Sequence, residues 1–239
     1  STSPVNGTPL SDSVLGQGGS NSGGSASPVA PSEPAVDACA GAGAGVGAAQ
    51  PFGSHARPYA SGATVPDHLS SDQLDQSVRD FHDRWKRRYL KQGCAAGHYY
   101  VATGIEGSET VSEAHGYGML ITAYMAGHDP EAHAVFDGLH AYYAAHPSEG
   151  LPPLMAWSQD ASCNNNKGAG SASDGDLDIA YALLLADKQW GSDGAIDYQA
   201  EALKLLDAVL REEVDRTDSY ILLGDWTSPN GRDTYYATR

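Results

Sequence analysis

The sequence predicts an all-α fold in which helices pair in layers around an inner helical layer. Apolar residues recur at helical spacing in five segments between residues 70 and 214. One of these, 174–190, is apolar on nearly all sides and reads as an inner helix buried all round, whereas 71–90, 129–145 and 194–214 are amphipathic and read as outer helices. Strand signals are confined to Tyr99-Tyr100-Val101 and Tyr220-Ile221-Leu222-Leu223. No segment repeats at a fixed period, which excludes a consensus solenoid.

Each element has its own local reason. Ser70 and Gln73 form a capping-box pattern ahead of Leu74, Val78, Phe81, Trp85 and Tyr89, and the last turn is basic, with Lys86, Arg87, Arg88 and Lys91 before Gly93. A second helix runs from about Ser112 to Met125 and closes at Gly127. A third starts near Asp129-Pro130, turns Val135, Phe136, Leu139 and Tyr142 or Tyr143 inward, and stops before Pro147. Residues 147–173 form a loop rich in Gly, Ser and Asn that carries Trp157. The fourth helix covers about 174–190, with Ser173 as a candidate N-cap. The fifth covers about 194–214, with Ala202, Leu205, Leu206 and Val209 in a single stripe.

The 239 residues carry 14 basic and 30 acidic side chains, a net charge of −16. Such a chain lacks the basic face that nucleic acid or an anionic membrane surface requires. No run of about 18 apolar residues is present to span a membrane. Residues 1–50 hold 10 Gly, 9 Ser, 9 Ala and 5 Pro, with no aromatic residue, Lys or Arg. That composition reads as a linker that cannot offset its own ordering entropy, and leaves 51–239 as the foldable part. Cys94 and Cys163 fall in loops, where a bridge between them would suit an exported protein and two free thiols are the alternative. Cys39 lies in the linker. The chain opens at Ser1, and a removed leader or a surface tether is expected ahead of it, with a secreted or surface-tethered location.

Two segments concentrate chemistry. In Thr110–Met119, Glu113 and Tyr117 share a helix face beside His115, Gly116 and Gly118; Glu113 could also be a plain first-turn acid. In Ser171–Ala180, Asp174, Asp176 and Asp178 crowd into five residues ahead of an apolar helix. An EF-hand loop fails there, since Ile179 and Leu185 stand where Gly and Glu are needed. First-turn acids would explain one or two carboxylates but hardly three. Glycosidic cleavage needs two carboxyl groups flanking a sugar in different protonation states, and Glu113 with Asp174 or Asp176 are suitable types. Trp157, Trp226, Tyr235 and Tyr236 lie in or beside loops, where rings can stack on the C–H faces of sugars. No G-x-S-x-G elbow, Walker A loop or H-E-x-x-H is present, and the nine His show no metal-site spacing, so no metal or cofactor is expected.

Ser112-Glu113-Ala114-His115-Gly116-Tyr117-Gly118-Met119 and Ala172-Ser173-Asp174-Gly175-Asp176-Leu177-Asp178-Ile179-Ala180, continuing to Ala186 and Trp190, resemble the two motifs of glycoside hydrolase family 8. The resemblance implies an (α/α)6 barrel, of which about three helical hairpins fall within this chain, so that 51–239 reads as an incomplete catalytic domain. It also implies an inverting, endo-acting hydrolase of β-1,4-linked polysaccharide. Glu113 matches the general acid, and Asp174 matches a catalytic carboxylate that contacts the central sugar. Trp157 and Trp226 resemble the stacking aromatics of the sugar subsites, and Tyr236, or its neighbour Tyr235, resembles the tyrosine near the central sugar; Tyr117 and Asp176 join them as candidate substrate-binding residues, and the general base is expected beyond residue 239. β-1,4-Glucan is the first expected substrate, with chitosan or xylan as alternatives and a non-catalytic carbohydrate-binding fragment as the rival of another class. Glu113 and Asp174 are expected to face one cleft, because inverting carboxyl pairs stand about 6.5–9.5 Å apart and a separation beyond roughly 12 Å leaves no room for a shared sugar.

Overall fold

The computed structural model describes residue 49, residues 60–217 and residues 219–227. Five α-helices carry these residues: α1 (Ser71–Tyr89), α2 (Ser112–Tyr124), α3 (Ala132–Ala145), α4 (Ser173–Trp190) and α5 (Tyr198–Glu212). The described strands are short and pair antiparallel in twos: β1 (Leu90–Gln92) with β2 (Tyr99–Val101), β3 (Thr110–Val111) with β4 (Ser158–Gln159), and β5 (Val214–Asp215) with β6 (Tyr220–Ile221). The β3–β4 pair matters most for the site, because it ties the start of α2 to the loop that bears Trp157.

Local chemistry sets the helix ends. Ser70 caps α1, accepting from the Gln73 amide while the Gln73 side chain accepts from Ser70. Asp197 caps α5 by accepting from Ala200 N at 2.9 Å, so that helix starts later than residue 194. Ser173 is not the cap of α4. Its hydroxyl donates to the Leu222 carbonyl at 2.7 Å, which leaves Ala172 at the N-cap without a side-chain bond. Cys94 and Cys163 are bridged, with Cα atoms 6.1 Å apart, joining the β1–β2 hairpin to the loop before α4.

The core lies where α2, α3, α4 and α5 meet: Met119, Phe136, Leu139, Tyr142, Ile179, Leu183 and Leu205 are fully buried there with Leu154 and Met155 of the long loop. Each such side chain contributes about 1.5–3 kcal/mol relative to exposure. Gln189 of α4 donates to the Ala123 carbonyl at 2.7 Å and locks α4 to α2. Glycines set how close those two helices come. A Cβ on Gly116 would stand 2.6 Å from Asp178 Cβ and 3.2 Å from the Gly175 carbonyl. One on Gly175 would stand 2.7 Å from the Ser112 backbone carbon. Only a residue without a side chain lets the backbones meet this tightly.

Two sequence expectations are corrected. α4 is not buried all round: Tyr181 is 52% exposed, and Asp174 and Asp178 open on the same side. The apolar stripe of α1 is only partly covered: Trp85 and Tyr89 pack against the core, but Phe81 is 64% exposed and Val78 is exposed, while the buried residues of α1 are Asp75 and His82. Periodicity marks a coherent face without saying what covers it. Among the described residues no helix is long and apolar enough to cross a membrane.

Candidate active site

The close α2–α4 contact decides which side chains share a surface. Glu113 and Tyr117 lie one turn apart on α2, and Asp174 and Asp178 lie one turn apart on α4. With Gly116 against Asp178 and Gly175 against Ser112, the two pairs face the same opening. Their charges register this proximity. The Tyr117 hydroxyl has its pKa raised by the negative charge of Glu113 foremost, then by that of Asp178, with Asp174 contributing. Asp178 has its pKa raised by burial, then by the charges of Asp174 and Glu113. Asp174 is oriented by accepting from the Gly175 amide at 2.9 Å. Further along the same face, the Tyr124 and Tyr181 hydroxyls meet at 3.1 Å.

Beside this face lies a cavity of about 800 Å³, whose lining includes Trp157, Lys167, Ala172, Asp225 and Trp226. Trp157 is placed by backbone pairing: its carbonyl accepts from Ser112 N at 2.9 Å, one residue before Glu113, and its indole donates to the Lys167 and Gly168 carbonyls. Trp226 is 57% exposed and follows Asp225, whose carboxylate accepts from Ser171 N at 2.8 Å and from the Ser148 hydroxyl. Ala172, two residues before Asp174, lines the cavity and joins it to the carboxylates. Tyr235 and Tyr236 lie outside the described residues.

Asp176 is a correction. It is fully buried and accepts from Met155 N at 2.8 Å, so it cannot touch a sugar in the open cleft. Its helical phase points it into the core, opposite Asp174 and Asp178. There it pairs with Glu213, which accepts from the Ser171 hydroxyl at 2.5 Å. Burial raises both carboxyls, Asp176 well above its ordinary value and Glu213 to about 7, and their mutual repulsion is relieved by one shared proton. His115 also leaves the site: it is fully buried, its Nε2 donates to the Leu139 carbonyl at 2.9 Å, and burial lowers its pKa to about 4. Glu213 and Asp225 belong to no motif in the sequence, whereas the four-residue spacing already puts Asp178 on one face with Asp174.

The Asp176–Glu213 pair predicts a pH dependence. From about pH 4.5 to about 7 the unfolded chain releases a proton that the folded pair keeps, so stability falls with rising pH, by at most about 1.4 kcal/mol per unit, and levels off above the folded pKa. His115 acts with the opposite sign up to its ordinary value of 6.5, so the quantity to measure is a difference between proteins. Urea unfolding of wild type and Asp176→Asn, compared near pH 5 and near pH 7.5, is expected to show a smaller fall in the variant. Parallel pH profiles would contradict the shared proton.

Comparison with known proteins fits this layout. A family described as "Glycosyl hydrolases family 8" matches residues 69–236, and the chain belongs to it. Its helices are part of the (α/α)6 barrel of that family. The chain is 48% identical over 181 residues to a beta-glucanase of Niallia circulans, covering 76% of this chain and 44% of that protein. It is 40% identical over 185 residues to an endoglucanase of Bacillus sp. strain KSM-330, covering 73% and 39%. The apo structure of a beta-1,3-1,4-glucanase from Paenibacillus sp. X4 superposes with a TM-score of 0.71 at 47% identity, over 76% of this chain and 47% of that one. The chain thus spans less than half the length of the relatives it matches.

Proposed function

We propose that the chain carries the acid-bearing part of an inverting, endo-acting glycoside hydrolase that cleaves β-1,4 bonds in β-glucan. The observation that supports this most is the grouping of Glu113, Tyr117, Asp174 and Asp178 on one open face beside a cavity with two tryptophans. Glu113 donates its proton to the glycosidic oxygen as the bond breaks, with Tyr117 beside it on the same helix face. Asp174, fixed by the Gly175 amide, receives the hydroxyls of the central sugar and stabilises its distorted ring. Trp157 and Trp226 stack on neighbouring sugars and hold the polymer in register. A water attacks from the opposite side of the ring and gives its proton to a carboxylate general base other than Glu113, so the product inverts.

The names of the relatives favour β-glucan over xylan or chitosan. The Gly, Ser, Ala and Pro content of residues 1–50 suits a linker that would hold the catalytic part, 51–239, away from a surface. The Cys94–Cys163 bridge supports export to an oxidising compartment.

The test is reducing-sugar release by the full-length protein from carboxymethylcellulose, lichenan, xylan and chitosan under one set of conditions. Lichenan and carboxymethylcellulose are expected to be cut fastest. Faster release from chitosan would move the assignment to the cationic polymer. Retention of glucan without release would support the binding-fragment reading.

A further inference from the structure

Away from the catalytic face, α1 meets the turn between α2 and α3 at a cluster of two imidazoles and one carboxylate. His82 Nδ1 stands 3.3 Å from Asp83 Oδ1, and His128 Nε2 stands 2.9 Å from the same oxygen. One ligand atom from each of the three residues lies within 4.8 Å of the others. The two rings cross nearly edge to face, 85° apart with centroids at 5.7 Å. We propose that His82, Asp83 and His128 form a binding site for a divalent transition-metal ion of the zinc type, which fastens α1 to the α2–α3 turn.

The distances fit the ion. Zinc holds nitrogen and carboxylate oxygen at about 2.0–2.2 Å in a tetrahedron, so neighbouring ligand atoms stand about 3.3–3.6 Å apart. The observed separations of 3.3 and 2.9 Å need an adjustment of a few tenths of an ångström. With the metal on His82 Nδ1, the far side of the ring faces Asp129 Oδ2 at 4.0 Å, a charge contact longer than a hydrogen bond. Asp129 is in turn held by Lys86 at 2.8 Å, and Lys86 also reaches Glu131 at 2.9 Å. Two imidazoles and a carboxylate select zinc, cobalt or nickel over the oxygen-seeking calcium and magnesium. The His82 side chain is buried, but Asp83 and His128 open to solvent, so the ion enters from their side and a water completes its shell. Linear spacing does not reveal the site, since His128 lies 45 residues from Asp83.

The test is titration of the untagged, metal-stripped full-length protein with Co2+, followed by displacement with Zn2+. Wild type is expected to bind one equivalent, with the visible band of four-coordinate Co2+, and Zn2+ should abolish that band. Asp83→Asn and His128→Gln should each weaken binding at least tenfold, and His68→Gln, at an exposed position, should change nothing. A second measurement needs no variant: Zn2+ should shift the ring resonances of His82 and His128 and leave those of His133 and His140 in place. Absence of binding below millimolar metal, a band that either variant keeps at wild-type strength, or ring shifts confined to other histidines would overturn the site.

Discussion

Replacing Glu113 by Gln is expected to lower β-glucan hydrolysis by about 10²–10⁴-fold, the usual contribution of a positioned acid, with KM nearly unchanged. Gln keeps the size of the side chain and leaves the Gly116 and Gly175 contacts untouched, so the face between α2 and α4 stays assembled. What it lacks is the proton for the departing sugar oxygen. The loss should therefore shrink on an activated aryl glycoside, whose leaving group departs without protonation. That contrast separates a missing acid from a damaged fold, which would slow both substrates alike. Turnover near the wild-type rate on polymer would remove Glu113 from the acid role.

The second large effect is expected from Gly175→Ala. The new methyl would press on the Ser112 side chain and stand 2.7 Å from its backbone carbon, and backbone cannot swing aside. Overpacking of this kind costs about 1–3 kcal/mol and occasionally more, and a backbone clash belongs at the upper end. For a domain of this size that corresponds to a fall in Tm of roughly 6–12 °C. Because α2 and α4 must part to accept the methyl, Glu113 and Asp174 separate too, and activity should fall by more than the unfolded fraction accounts for. Gly194→Ala is the matched control, since a Cβ there meets open space. Equal melting of the two variants, measured by differential scanning calorimetry, would show that the helices do not depend on that contact.

Both predictions rest on features that differ in how far they can be read from sequence. The capping box at Ser70 and Gln73 and the inward residues of α3 are local, and each is legible from residue type and spacing. The Cys94–Cys163 bridge spans 69 residues, and the sequence leaves it beside two free thiols as the alternative. Glu113 and Asp174 are legible because each sits in a short motif at a helix start. The failures are long-range. Ser173 has the chemistry of an N-cap, but a better partner, the Leu222 carbonyl, arrives from 49 residues away. Asp176 looks equivalent to Asp174 in a run of acids, yet a two-residue step on a helix turns it about 200° toward the core, where Glu213 comes to meet it. The exposed side of α4 escaped because its centre, Ile179–Ala186, is apolar on nearly all sides and gives no phase, and only packing against α2 and α5 decides which strip is left open. Asp225 and the His82–Asp83–His128 cluster are assembled across 77 and 45 residues, with nothing local to announce them.

The central claim is that the open face shared by α2 and α4 is where the glucan lies. A crystal structure of the Glu113→Gln variant of the full-length protein, soaked with a β-1,4-gluco-oligosaccharide, tests it most directly. A sugar ring bound between the substituted side chain, Tyr117 and Asp174, with its neighbours stacked on Trp157 and Trp226, is the result expected. An oligosaccharide bound instead along the apolar groove of Val78, Phe81 and Trp85, with the α2–α4 face empty, would contradict it.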